Sequence, residues 1–113
     1  MAGDPTPERE FVDTLYRLLA NQRRRRIVRL LAERSGSMTF GELVDGLRAA
    51  GQTDRDRIAL DLHHTHLPML AEADVVESER DGDRVALTAR GRTTEAVRRI
   101  TDRYLEERRA DVQ

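Results

Sequence analysis

The amino-acid sequence predicts a small α+β domain that is mostly α-helical and carries one β-hairpin near its C-terminal end. Three observations predict it. Apolar residues recur at spacings of three and four through most of the chain, the period of a helix with one buried face. The stretch VVESERDGDRVALT departs from that period and alternates about an Asp-Gly pair, as a hairpin does. Capping residues and glycines fall between the periodic runs, where helices must start and stop. With 113 residues, 38% of them hydrophobic, the chain has room for one domain with a modest core. That domain is expected over residues 7–109, with 1–6 as a loose end and 110–113 as a tail.

The first helix is expected from Pro7, which suits the first helical position behind a Thr6 cap, to about Ala20. Phe11, Val12, Leu15, Leu18 and Leu19 mark its apolar face. Asn21 caps a second helix, QRRRRIVRLLAER, which turns Ile27, Val28, Leu30 and Leu31 inward and Arg25, Arg26 and Arg29 outward before Gly36 ends it. Thr39-Phe40-Gly41-Glu42 matches the capping box S/T-x-x-E and opens a short third helix. Phe40, Leu43, Val44 and Leu47 face inward there, and Gly51 closes the segment.

A fourth helix, about residues 54–72, organises the rest: TDRDRIALDLHHTHLPMLAE. Thr53 stands at the N-cap position, with Asp56 placed to return the contact. Ile58, Ala59, Leu62, His66, Leu67, Met69, Leu70 and Ala73 form the buried stripe; Arg55, Arg57, Asp61, His64 and Thr65 form a polar front. Such a helix is a reading head wherever its front fits a groove. Pro68 removes the hydrogen bond to the His64 carbonyl, so a bend is expected there at a cost of about 3 kcal/mol.

If Asp81-Gly82 form a two-residue turn, Arg80 faces Asp83, Glu79 faces Arg84, Ser78 faces Val85 and Val76 faces Leu87. That register puts Val76, Val85 and Leu87 on one face of the hairpin. Thr88 then caps a last helix, ARGRTTEAVRRITDRYLEERR, with Ala96, Val97, Ile100 and Tyr104 in one stripe. Glu95 with Arg99 and Arg103 with Glu107 are spaced to pair along it.

Composition excludes several classes of function. No apolar run approaches the roughly 18–20 residues needed to span a bilayer, and the N-terminus lacks the apolar core of a signal peptide; a cytoplasmic location without membrane contact is expected. There is no cysteine, hence no disulfide and no thiolate chemistry. No nucleophile–base pair, paired-carboxylate site or phosphate loop is visible, so neither an enzyme nor a cofactor is expected. His63, His64 and His66 lack the further ligands that a structural metal site needs, so no metal is expected. Packing for His63 and His66, with His64 exposed, is the expected arrangement.

Charge is unevenly placed behind a net charge of −1. Residues 17–34 hold seven Arg against one Glu, whereas residues 41–83 hold four Arg against eleven Asp and Glu. Arg23, Arg25, Arg26 and Arg29 belong to the basic segment. Cations in the first turn of a helix oppose its dipole, which points to a negatively charged partner. Pairing with the acidic segment of the same chain is the other reading.

Two motifs carry a family resemblance. HTHLPMLAEADVVE resembles the recognition-helix ending H-L-x-x-L-x-x-A-x-V-V of winged helix-turn-helix transcription regulators, and VALTARGR is similar to their wing-exit motif L-T-x-x-G-R. NQRRRRIVRLL paired with HTHLPML resembles, more narrowly, small regulator-like winged-helix domains abundant in halophilic archaea. The resemblance spans about residues 11–100 and implies a winged helix-turn-helix fold and a homodimeric regulator bound to double-stranded DNA. On that reading the fourth helix enters the major groove with Arg55, Arg57, Asp61, His64 and Thr65, the wing, 77–86, brings Arg80 and Arg84 to the minor groove, and Arg23, Arg25, Arg26 and Arg29 grip DNA phosphates. It also implies that the terminal helices pack together and form the dimer interface, through Phe11, Leu15 and Leu19 with Val97, Ile100, Tyr104 and Leu105. The acidic reading face keeps an alternative open, a protein-interaction module on the same scaffold that does not read DNA, with a protein partner in place of the duplex.

Overall fold

The computed structural model describes residues 6–49, 54–79 and 82–112. Helix α1 (Pro7–Leu19) is followed by α2 (Gln22–Glu33), strand β1 (Ser37–Thr39), α3 (Phe40–Ala49) and α4 (Arg55–Asp61). A π-helical turn (Leu62–His66) leads without interruption into α5 (Leu67–Glu72); then come β2 (Val76–Ser78), β3 (Arg84–Leu87) and the long α6 (Ala89–Val112). With α4, the π turn and α5 counted as one rod, the described residues form five helices and one small antiparallel sheet, an α+β fold.

Local chemistry explains the helix ends. Thr6 Oγ1 accepts the Arg9 N–H, and Asn21 Oδ1 accepts those of Arg23 and Arg24, so both foreseen N-caps are in place. The capping box is reciprocal: Glu42 N–H donates to Thr39 Oγ1 at 3.0 Å, and Thr39 N–H donates to the Glu42 carboxylate at 2.9 Å. Hydrogen bonding to the carboxylate from the Thr39 backbone N–H first, and from its side chain second, holds the Glu42 carboxyl below its ordinary pKa. The expected Thr53 cap and the Gly51 stop lie outside the described residues; Asp54 caps α4 by accepting the Asp56 N–H. Asp74 ends α5 in the left-handed conformation (φ 62°), and the Val75 N–H returns to the Leu70 carbonyl.

The sheet has the order β1-β3-β2. Val76 pairs with Leu87 and Ser78 with Val85, the register expected from the turn, and the Glu79 N–H donates to the Arg84 carbonyl. Val76, Val85 and Leu87 are all buried. Arg80, the expected partner of Asp83, and the turn residue Asp81 lie outside the described residues. Strand β1 was not expected: Ser37–Thr39 is too short for any period to show, and it becomes a strand by pairing with Arg84–Ala86 of β3.

The irregularity expected at Pro68 takes the form of a π turn just before it. The chain widens into the π turn, with the Leu67 N–H donating to the Leu62 carbonyl five residues back. Adding one residue to the turn makes room for the proline ring while the rod continues. The core gathers Ile27, Val28 and Leu31 of α2, Leu43, Val44 and Leu47 of α3, and Ile58, Leu62 and Leu70 of the rod around the hairpin valines. Helix α6 runs along α2 and continues to Val112, past the expected end at Arg109. Glu95 pairs with Arg98 rather than with Arg99, because Arg98 lies on the α2 side and is buried; Arg103 and Glu107 pair at 3.8 Å as expected. Among the described residues no helix is long and apolar enough to cross a membrane.

Candidate functional site

The apolar back of α4 is anchored by Ile58 and Leu62, so its front is set by the core rather than by its own contacts. Arg55, Asp56, Arg57, Leu60, His63, His64 and Thr65 are exposed, and Asp61 is half-buried. The structure therefore brings together the five front residues read from the sequence. It also sets each arginine beside a carboxylate. The Arg55 guanidinium sits 3.1 Å from Asp45 of α3, and that of Arg57 lies 3.7 Å from Asp61 one turn on.

His63 is exposed, against the expectation of a packed ring. It meets His64 edge to face at 4.9 Å and Phe40 at 6.3 Å, because the π turn presents three consecutive residues outward between buried Leu62 and His66. Leu60 was missed. Its signal was present, since an apolar residue off the stripe of Ile58, Ala59 and Leu62 must stand on the front.

His66 is buried as expected, and its Nδ1 has no hydrogen-bond partner among the described residues. Burial pushes its pKa below the ordinary imidazole value, and the charges of Arg24 and Arg23 push the same way, against a smaller opposite effect of Asp61. The folded protein thus binds this proton less readily than the unfolded chain does. Stability is full above the ordinary histidine pKa and falls as pH drops through it toward the folded value. A melting series from pH 7.5 to 5 should show Tm falling below about pH 6.5, with a shallower fall in His66→Leu. Equal slopes in parent and variant would remove His66 as the cause.

The arginine cluster of α2 divides. Arg24 donates to the Leu18 carbonyl at 2.8 Å and to that of Arg17 at 3.2 Å; Arg25 donates to the Leu19 carbonyl at 2.6 Å and to Asp102 at 3.1 Å. The last carbonyls of a helix lack intrahelical donors, and these two guanidinia supply them for α1. Arg25, expected at DNA phosphates, is thus engaged within its own chain. Arg26 and Arg29 join it in lining an open groove of about 530 Å³, whose far wall is Asp102, Leu105, Glu106 and Arg109 of α6. Arg29 also pairs with Glu33 at 2.9 Å. This side of α2 faces α6 and not the α4 front. Arg23 is half-buried, with its charge felt at His66.

At the hairpin, Arg84 reaches across the sheet to the Ser37 hydroxyl at 3.1 Å and lies 3.7 Å from Glu79. Arg80 lies outside the described residues. Between α1 and α6, Arg90 stacks over the Phe11 ring at 4.5 Å beside an apolar groove that also borders Val12, Tyr16 and Val97. Leu15 and Leu19, expected in a dimer interface, are buried in their own chain. Ile100 and Tyr104 are 70% and 60% exposed, and Leu105, Val12 and Tyr16 are exposed with them. The last two replace Leu15 and Leu19 on the outer face of α1, one helical step around from the buried leucines.

Comparison with curated proteins and with solved structures returned no match. A family model does match, over residues 16–86, from the last turn of α1 into β3. It takes in the whole α4 front and most of the core. The chain belongs to the family described as Domain of unknown function (DUF7344).

Proposed function

We propose that this protein is a winged helix-turn-helix regulator that binds double-stranded DNA as a homodimer. The observation that carries this reading is the front of α4 and its π turn: a core-anchored helix with Arg55, Arg57, His64 and Thr65 exposed, preceded by three helices and followed by a hairpin. Arg57, His64 and Thr65 can donate to base edges in the major groove, where each base pair has its own donor and acceptor pattern. Arg55 and Arg57 each meet a carboxylate through Nε alone, which leaves the outer N–H groups of both guanidinia to reach DNA. Homodimerisation is supported by Ile100, Tyr104, Val12 and Tyr16, a set of large exposed apolar side chains on the terminal helices. Two copies would place their α4 helices in successive major grooves about 34 Å apart.

The test is fluorescence anisotropy of a mixed-sequence duplex titrated with protein across a salt series. Affinity that falls linearly on log–log axes counts the phosphates engaged. Selection from a random duplex pool follows, and Arg57→Ala should then cost about tenfold or more at one base position. Arg25→Ala, in contrast, should act through stability and leave the binding slope unchanged. Sedimentation equilibrium of Ile100→Asp should give a monomer where the parent is a dimer. Absence of binding at low salt and of any enriched sequence would overturn the DNA reading.

A protein-interaction module is the second reading, and the pairing of Arg55 with Asp45 and Arg57 with Asp61 is the observation that favours it. With both arginines neutralised, the excess acidic charge of residues 41–83 would meet a basic protein partner.

A further inference from the structure

One apolar side chain stands on the polar front of α4. Leu60 is 54% exposed, with Arg57 one turn before it and His64 one turn after it on the same face. A lone exposed leucine is ordinary on a protein surface, so exposure alone decides nothing. Its neighbours decide. Arg57 and Arg55 each face one carboxylate, of Asp61 and Asp45, through Nε alone and stay largely exposed with further N–H donors, so Leu60 is an apolar spot set among groups that can engage polar base edges. Leu60 gives up only water, and removing apolar surface from water is favourable without compensation elsewhere. The backbone beneath it is held by buried Ile58 and Leu62, so it meets a docking surface already in place.

The major groove offers one apolar group at base level, the C5 methyl of thymine. Resting on the DNA-binding reading, we propose that Leu60 is a specificity residue that packs against a thymine methyl, flanked by Arg57 and His64 at the neighbouring base edges. A groove-facing helix with a single apolar contact between two polar ones reads an apolar spot between two polar edges. Cytosine at the same step lacks the methyl and carries an amino group where thymine carries an acceptor.

The test uses the duplex that the full chain enriches from a random pool. Each thymine of that duplex is replaced in turn by deoxyuridine, which removes the C5 methyl and nothing else, and affinity is measured for the parent and for Leu60→Ala. The parent should lose about fourfold at one thymine per half-site, the worth of one buried methyl at ~0.8 kcal/mol, and be indifferent elsewhere. Leu60→Ala should lose the discrimination at that position and keep Tm, since its side chain is exposed. Enrichment of a duplex with no uracil-sensitive position, or sensitivity that survives in Leu60→Ala, overturns the role of Leu60 alone. Enrichment of no duplex at all overturns the DNA reading with it.

Discussion

Replacing Gly91 by Ala is expected to lower Tm by about 12–24 °C. A Cβ at this position would lie 2.2 Å from the Val75 carbonyl oxygen and 2.9 Å from Leu87 Cδ2. The leucine methyl can give way. The carbonyl cannot, because it accepts both the Thr88 N–H and the Thr88 hydroxyl, each at 3.1 Å, in the joint that fastens α6 to the end of the rod. Gly91 is itself part of that joint, its N–H donating to Thr88 Oγ1 at 2.9 Å. Overpacking costs typically 1–3 kcal/mol and more against fixed backbone, so about 3 kcal/mol is taken here. Each kcal/mol moves Tm by roughly 4–8 °C in a domain of this size. Gly41→Ala is the control: it sits in α3, its Cβ would meet only Thr39 Oγ1 at 4.0 Å, and Ala is the better helix former. A circular-dichroism melt in which Gly91→Ala falls by less than about 4 °C, under 1 kcal/mol, would show that the joint shifts easily.

Asp102→Ala should cost about 2–4 kcal/mol, read in the same melts. Asp102 receives Arg25 on one oxygen at 3.1 Å and Arg98 on the other at 2.7 Å. Both arginine side chains are nearly buried, at 14% and 10% exposure, while Asp102 keeps 27%. Removing the carboxylate takes one partner from each of two guanidinia at the α2–α6 contact, leaving Arg25 with the Leu19 carbonyl and Arg98 with Glu95. Burial lowers the Arg98 pKa, and the hydrogen bonds and charges of Glu95 and Asp102 more than reverse it, so Arg98 stays charged. Breaking a fully buried pair costs about 3–5 kcal/mol; the partial exposure of Asp102 and the remaining bonds of Arg98 to Glu95 put this case lower. Adding Arg25→Ala to Asp102→Ala should cost less than the sum of the two single changes, because the second removes a charge that the first left unpaired. Strict additivity would mean that the two groups do not interact in solution.

The same two positions show where sequence reasoning succeeds and where it stops. Thr88 as a cap, Asn21 as a cap, the Thr39–Glu42 box and the Val76–Leu87 register were all legible, since each depends on residues a few places apart and on bonds that the chain can make locally. The buried stripe of α4, and hence its front, was legible from period alone. Leu60 was visible in the same pattern as the residue that breaks it.

Long-range partners were not legible. Nothing local says that Arg25 turns to Leu19 and Asp102, that Arg84 turns to Ser37, or that Glu95 prefers Arg98 to Arg99; every guanidinium has several carboxylates within reach of its spacing, and only packing decides which is near. Strand β1 exists because β3 is beside it, and the π turn because the rod is held at both ends by core residues while Pro68 withholds one hydrogen bond. By itself the sequence determined which residues are helical, where most helices start and which faces are apolar, because caps and periodicity are properties of neighbours along the chain. Only the tertiary structure decided which charges remain available at the α4 front and which apolar side chains stay uncovered on α1 and α6, because availability is what remains after distant segments have made their contacts.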